Sequence, residues 1–349
     1  MDEQGIERSD GSFESIPTCE YPHYNANGQV LSKAISNPSA TSVAPTIGHA
    51  WVEDYGLLTS TSFGELTANW AVPPAPTSND DQTLYFFPAM IDNGTGGNII
   101  QPVLAWNNDS SVTTSPTNVW SIASWNCCVV DTVTESTSVT VNPGDVILGT
   151  MQSTCSAGTL TCGYWDITTK DITTGSSTSL TESPASGQTF NFAFPGATEV
   201  YSVAQCSDYP ADGAFEFYNL ALYDNSFNQI SNPAWTFDAV STASSSGLTP
   251  QCNYGGQDTG QNVIFTYGTL PAPSVNETYR CQIFGGHSSC YYLLNIRDPN
   301  PSVSIYYTTD GSTPTTSSTL FTGGVAFSEE TTVKAIAVLG TIESTIGEN

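Results

Sequence analysis

The sequence predicts an all-β chain: a jelly-roll, concanavalin-like sandwich of two antiparallel sheets, followed by a small Ig-like β-module. Three observations lead there. Short runs of alternating apolar residues recur from Trp51 onward, each closed by Gly, Pro, Asn or Asp. No stretch sustains a helical period. The 349 residues suffice for one large β-domain with a smaller one behind it.

Residues 1–48 are polar and without periodicity, and are expected to form an extended N-terminal arm or a propeptide remnant. The main domain is expected over 49–268. Its strands are read from "GELTANWAV", "TLYFFPAMI", "NIIQPVLAW", "STSVTVNPGDVILGTM", "TFNFAFPGATEVYSV" and "GAFEFYNLALYD", with "QNVIFTYGTL" closing the domain. "PAPSVNET" follows as a linker. Within 269–349, "IYYTTDGSTPT" combines an aromatic strand with a tight turn, and "TTVKAIAV" supplies a later strand. This last pattern resembles chitobiase C-terminal-type Ig-like modules over roughly residues 300–349, which are usually appended to secreted enzymes or adhesins.

The charge balance limits the function classes. Six Lys+Arg stand against 33 Asp+Glu and three His, a net charge of −27. Nothing here neutralises a row of phosphates, so nucleic acid is not an expected partner. Such acidity suits an acidic medium, where protonation relieves self-repulsion. Nine cysteines without a CxxC pair indicate disulfides in an oxidising compartment, with Cys155/Cys162 and Cys281/Cys290 the local pairs and one cysteine left over. Sequons at Asn93, Asn108 and Asn276 fit an extracellular location. No apolar run is long enough to span a bilayer. The start "MDEQGIERSD" lacks the basic and apolar regions of a signal peptide, so secretion implies a leader removed or replaced.

Most catalytic constellations are missing. His23, His49 and His287 lie at or beyond the edges of the main domain, so a Ser or Cys nucleophile inside it has no local base. There is no P-loop, dinucleotide fingerprint or HExxH, and the "DTG" at Asp258–Gly260 stands alone where an aspartic peptidase needs two carboxylates. Carboxylate and amide chemistry remains. Glu199 interrupts an apolar strand, where burial favours a general base able to return its proton as an acid. Gln101 interrupts another, and a neutral amide can donate to an oxyanion.

These residues sit in motifs that resemble the glutamic peptidases of the eqolisin, or scytalidopepsin-like, family over roughly residues 50–235. "SFGELTANWAVPPAP" is similar to the family's opening strand, and "YFFPAMID" to an aromatic-led strand ending in Ile-Asp. "IIQPVLAW" then places Gln101 at the catalytic glutamine. "VNPGDVILGTM" is similar to a structural Gly-Asp strand, and "ATEVYSV" places Glu199 at the catalytic glutamate. Under a shifted register Gln205 takes that second position. The chain departs from the pattern twice. "IASWNCC" lacks the carboxylate of the family's Tyr-Glu-Trp-like strand, and Pro102 removes a backbone donor beside Gln101.

The resemblance implies a secreted, acid-acting endopeptidase with no metal or organic cofactor and a protein or peptide substrate. Trp106, Phe87 and Tyr201 are the expected substrate-binding aromatics. The alternative is a non-catalytic glycan-binding or extracellular surface assembly protein on the same sandwich, with edge strands or the N-terminal arm as a route to self-assembly.

Overall fold

The structure, a computed structural model, describes residues 5–7, 13–15, 23–25, 30–32, 48–78, 82–92, 98–107, 118–127, 132–184, 188–203, 205–239, 252, 254–284 and 287–349. Most of the expected N-terminal arm lies outside the described residues, as do Asn93, Asn108 and Cys128. Two compact units divide the chain: residues 1–210 with 215–267, and residues 211–214 with 268–349.

The first unit holds nineteen strands among its described residues. They are β1 (Gly5–Glu7), β2 (Phe13–Ser15), β3 (His23–Asn25), β4 (Val30–Ser32), β5 (Gly48–Leu58), β6 (Phe63–Ala71), β7 (Thr83–Ile91), β8 (Ile99–Trp106), β9 (Trp120–Cys127) and β10 (Val133–Glu135). The series continues with β11 (Val139–Val141), β12 (Val146–Ser153), β13 (Tyr164–Asp171), β14 (Ser177–Pro184), β15 (Phe192–Val203), β16 (Ala214–Asp224), β17 (Thr236–Ala239), β18 (Gly255–Asp258) and β19 (Val263–Thr266).

Two large sheets result. A ten-stranded sheet runs β17-β5-β15-β7-β8-β9-β10-β3-β4, with β11 also on β9, and a seven-stranded sheet runs β14-β13-β12-β6-β16-β19-β18. Apart from the parallel contact of β3 with β10, the described pairings in both sheets are antiparallel. The molecule is therefore all-β and sandwich-like, and its described residues contain no helix beyond a single 3₁₀ turn at Cys206–Asp208.

Alternation explains which face each residue takes. In β6, Leu66, Ala68 and Trp70 face the core while Glu65, Thr67 and Asn69 are half-buried. Trp70, Phe86, Leu104, Trp120, Ile147, Phe217 and Phe265 belong to one apolar cluster that joins the two sheets. Strands β7, β8 and β9 are buried at every position, which is why the sequences of β7 and β8 read as almost continuous apolar runs. Their second face forms a separate cluster with Trp51, Tyr85, Phe87, Val103, Trp125, Phe194 and Tyr201. The sheets approach closely at Gly149, where a Cβ would stand 2.8 Å from both Pro102 and Trp70. Pro102 is thus a packing residue of the inter-sheet face.

The expected pairs Cys155–Cys162 and Cys281–Cys290 are both bonded. Cys206–Cys252 is a third disulfide, and Cys127 is also disulfide-bonded.

The second unit contains a hairpin of Ser274–Phe284 and His287–Arg297 joined by Val325–Phe327. A five-stranded sheet contains Ser304–Thr308 and Lys334–Leu339. The expected linker "PAPSVNET" is corrected in part: Ser274–Thr278 open the first long strand, because alternate residues such as Val275 enter the unit's core. The "TTDGSTP" motif is a tight turn. Asp310 accepts from the Ser312 N–H at 3.0 Å, and Gly311 takes a φ of 78° that favours glycine.

Candidate active site

Gln101 and Glu199 reach the same face of the ten-stranded sheet. In β8, Ile99, Val103 and Ala105 belong to the outer cluster, whereas Ile100, Leu104 and Trp106 enter the inter-sheet core. Gln101 has the parity of the first set. In β15, Ala197 and Tyr201 belong to the outer cluster and Val200 to the core, so Glu199 also points outward. Gln101 is 1% exposed and Glu199 0%.

Each has a defined setting. Gln101 lies opposite Trp125 of β9, and its Oε1 makes no hydrogen bond among the described residues. Glu199 lies between Trp51 of β5 and Tyr85 of β7, and the Tyr201 hydroxyl donates to its Oε1 at 2.5 Å. A bulge between Thr198 and Glu199 in the pairing with β5 sets the carboxylate's position along the strand. Around them the rings of Tyr85 and Trp125 meet at 5.1 Å, Tyr85 and Tyr201 at 6.2 Å, and Trp51 and Phe87 at 5.3 Å.

Register separates the two polar residues. Tyr85 pairs with Glu199 on one side and with Ala105 on the other, and Gln101 lies on the same strand as Ala105, nearer its start. That offset is about 13 Å along the strand at ~3.3 Å per residue, with β7 between the two strands. The contact between Tyr85 and Trp125 spans this diagonal. Gln101 and Glu199 therefore occupy opposite ends of one aromatic cluster.

The expected aromatics divide. Phe87 lies on the outer face beside Trp51, and Tyr201 bonds directly to Glu199. Trp106 is a correction. It packs in the inter-sheet core 5.3 Å from Trp120, because it stands an odd number of positions along the strand from Gln101. The alternative Gln205 lies beyond β15, exposed, as the N-cap of the 3₁₀ turn.

Other expectations resolve locally. Asp258 of "DTG" accepts from the Gly260 N–H in the exposed turn between β18 and β19. In "IASWNCC", Trp125 and Cys127 face outward, while Ser124 meets Thr169 of the facing sheet at 2.9 Å. Among the described residues no group of three or more His, Cys, Asp or Glu is placed to hold a metal ion. No helix of the structure is long and apolar enough to cross a membrane.

Sequence reasoning passed over Tyr85, which lies between the two polar residues, and Glu53, a second fully buried glutamate on β5. The signal for Glu53 was present in "WVEDYG", where acids interrupt an aromatic strand as Glu199 interrupts its own.

A family model described as Fn3 associated matches residues 294–347. No comparison supports the narrower chitobiase type. No curated protein matches the chain. Among solved structures, scytalido-glutamic peptidase with a peptide-based transition-state analogue is similar at 16% identity and a TM-score of 0.45, over 64% of this chain and 100% of that one. SCP-B, an eqolisin-family peptidase in complex with a tripeptide, is similar at 15% identity and a TM-score of 0.43, over 64% and 100%. Aspergilloglutamic peptidase from Aspergillus niger is similar at 17% identity and a TM-score of 0.35, over 53% and 98%. At these values the likeness assigns neither activity nor residue roles to this chain.

Proposed function

We propose that the first unit is a secreted, acid-acting glutamic endopeptidase. The observation that carries this is a buried carboxylate, Glu199, held by the Tyr201 hydroxyl on the same sheet face as a buried amide, Gln101, whose Oε1 is open to a donor. The motifs around both residues support the same chemistry. Glu199 takes a proton from water as the water oxygen attacks the scissile carbonyl, and returns it to the leaving amine when the C–N bond breaks. In this mechanism Gln101 orients that water and donates an amide N–H to the oxyanion, which requires substrate binding to close the offset of about 13 Å that the register sets between the two residues. Three disulfides among the described residues support an oxidising compartment.

Hydrolysis of a denatured protein between pH 2 and 7 tests the proposal. Glu199→Gln and Gln101→Ala are each expected to cut turnover by about 10²-fold or more, the usual loss for such groups. Undiminished activity in both variants removes the mechanism.

A second proposal, a non-catalytic glycan-binding or surface assembly protein, is favoured by two observations. The register offset puts Tyr85 and Trp125 between the two polar groups. In the second unit, Tyr279 is 60% exposed with its ring 5.0 Å from that of Tyr292, an arrangement suited to a sugar face. Retention on insoluble polysaccharide by a chain inactive against all protein substrates selects this function.

A further inference from the structure

Tyr201 is one of the aromatics expected to meet a substrate, yet its hydroxyl donates to Oε1 of Glu199 on its own strand. The two residues stand two positions apart on β15, so alternation puts both on the outer face, where Tyr201 is 5% and Glu199 0% exposed. A phenol with an ordinary pKa of about 10 keeps its proton far below neutrality, so toward a carboxyl group in acid it is a donor. A donor favours the ionised form of its partner, because a bond from O–H to a carboxylate is about twice as strong as its neutral counterpart. Burial works the other way, since the charged form loses its water. The proposed chemistry needs Glu199 unprotonated before it takes a proton from water.

The titratable groups around Glu199 can be placed by register. Tyr85 of β7 lies directly opposite it, with its ring 6.2 Å from that of Tyr201. On β5, Asp54 lies opposite Ala197 and so shares the outer face, and Asp238 of β17 lies opposite Asp54. Charge on these two acids opposes ionisation of Glu199. His49 stands two positions before Trp51 on β5, and Glu53 pairs with Thr198, which has the other parity on β15. Trp51, Phe87, Trp125 and Gln101 complete the face without charge.

We propose that Tyr201 is a positioning residue for Glu199: its hydroxyl fixes the carboxyl group on the sheet face and holds it in the ionised form that a general base needs in an acidic medium. This rests on the peptidase reading of the site, and it assigns Tyr201 to the base rather than to the substrate. The phenol keeps its proton throughout. Its bond weakens when Glu199 takes a proton from water and strengthens again when that proton passes to the leaving amine.

Two measurements test the assignment. The acid limb of kcat/KM reports the base in the free enzyme, and the infrared carboxyl band that Glu199→Gln removes reports the same group without turnover. Tyr201→Phe is expected to move both midpoints up by about one pH unit, a loss of about tenfold in kcat/KM on the acid side, with kcat and KM on the plateau close to those of the wild type. Difluorotyrosine in place of Tyr201, a more acidic donor of nearly the same shape, is expected to move both midpoints down, and it alone decides if Tyr201→Phe does not fold. Midpoints that stay in place overturn the proposal, and so does an equal loss of activity at every pH with the infrared midpoint unmoved, the mark of a structural residue. An infrared midpoint that moves in a chain hydrolysing nothing at any pH upholds the effect of Tyr201 on Glu199 and removes the peptidase reading instead.

Discussion

At the scale of single residues, Glu199 and Gln101 are costly ways to fill a sheet face, and their cost separates function from structure. A carboxyl group at zero exposure is held by a hydroxyl, and a neutral amide of nearly the same shape fills the same space. Glu199→Gln is therefore expected to leave the urea midpoint within about 1 kcal/mol of the wild type, or to raise it, while abolishing turnover. A large loss of both marks a structural residue instead. Trp106→Ala is expected to cost about 3–5 kcal/mol in urea unfolding, as for other large core residues, without a selective effect on KM. The face of Trp106 was legible from parity along its own strand, since residues at odd separation point oppositely. That of Phe87 was not, because parity does not carry from one strand to the next without the register.

At the scale of elements, the strands were legible where one face is wet and ambiguous where both are dry. β6 alternates plainly, but β7, β8 and β9 are buried on both faces, so pattern alone does not say which residues face the second sheet. Close packing between the sheets supplies the choice. Gly149 of β12 accepts Pro102 of β8 and the Trp70 ring of β6, and any side chain there meets atoms at 2.8 Å. Gly149→Val is expected to cost about 1–3 kcal/mol by overpacking, measured by urea unfolding. Gly144 has open space around its Cβ position, and substitution there meets only the strain of its φ of 88°.

At the scale of the whole molecule, acidity and long-range covalent ties dominate. Burial raises the carboxyls of Glu53 and Glu216, the latter opposed by a bond from Asn262. A raised carboxyl pKa means the folded state holds its proton more tightly, so stability is full below the unfolded value near 4.5 and falls as pH rises through the folded values. Self-repulsion at a net charge of −27 has the same sign. The melting temperature is therefore expected to fall between pH 4.5 and 7, and Glu53→Gln to flatten part of that fall. The Cys206–Cys252 disulfide closes a separation of 46 residues. Replacing both cysteines by serine is expected to cost about 4 kcal/mol on a chain-entropy account, read from urea unfolding of the oxidised wild type and the variant.

The sequence by itself determined the all-β class, the strands that carry Gln101 and Glu199 with several of their neighbours, the two short disulfides separated by 7 and 9 residues, and the oddity of Gln101 and Glu199. These are local properties: alternation, turn residues and short loops act over a few neighbours. Only the tertiary structure decided that Gln101 and Glu199 share a face with Tyr85 and Trp125 between them, that Cys206 joins Cys252, and that Glu53 lies buried opposite Thr198. Each of these joins residues brought together by strand order and register. Those are fixed by which faces bury best against distant partners, a choice that no single stretch of the chain contains.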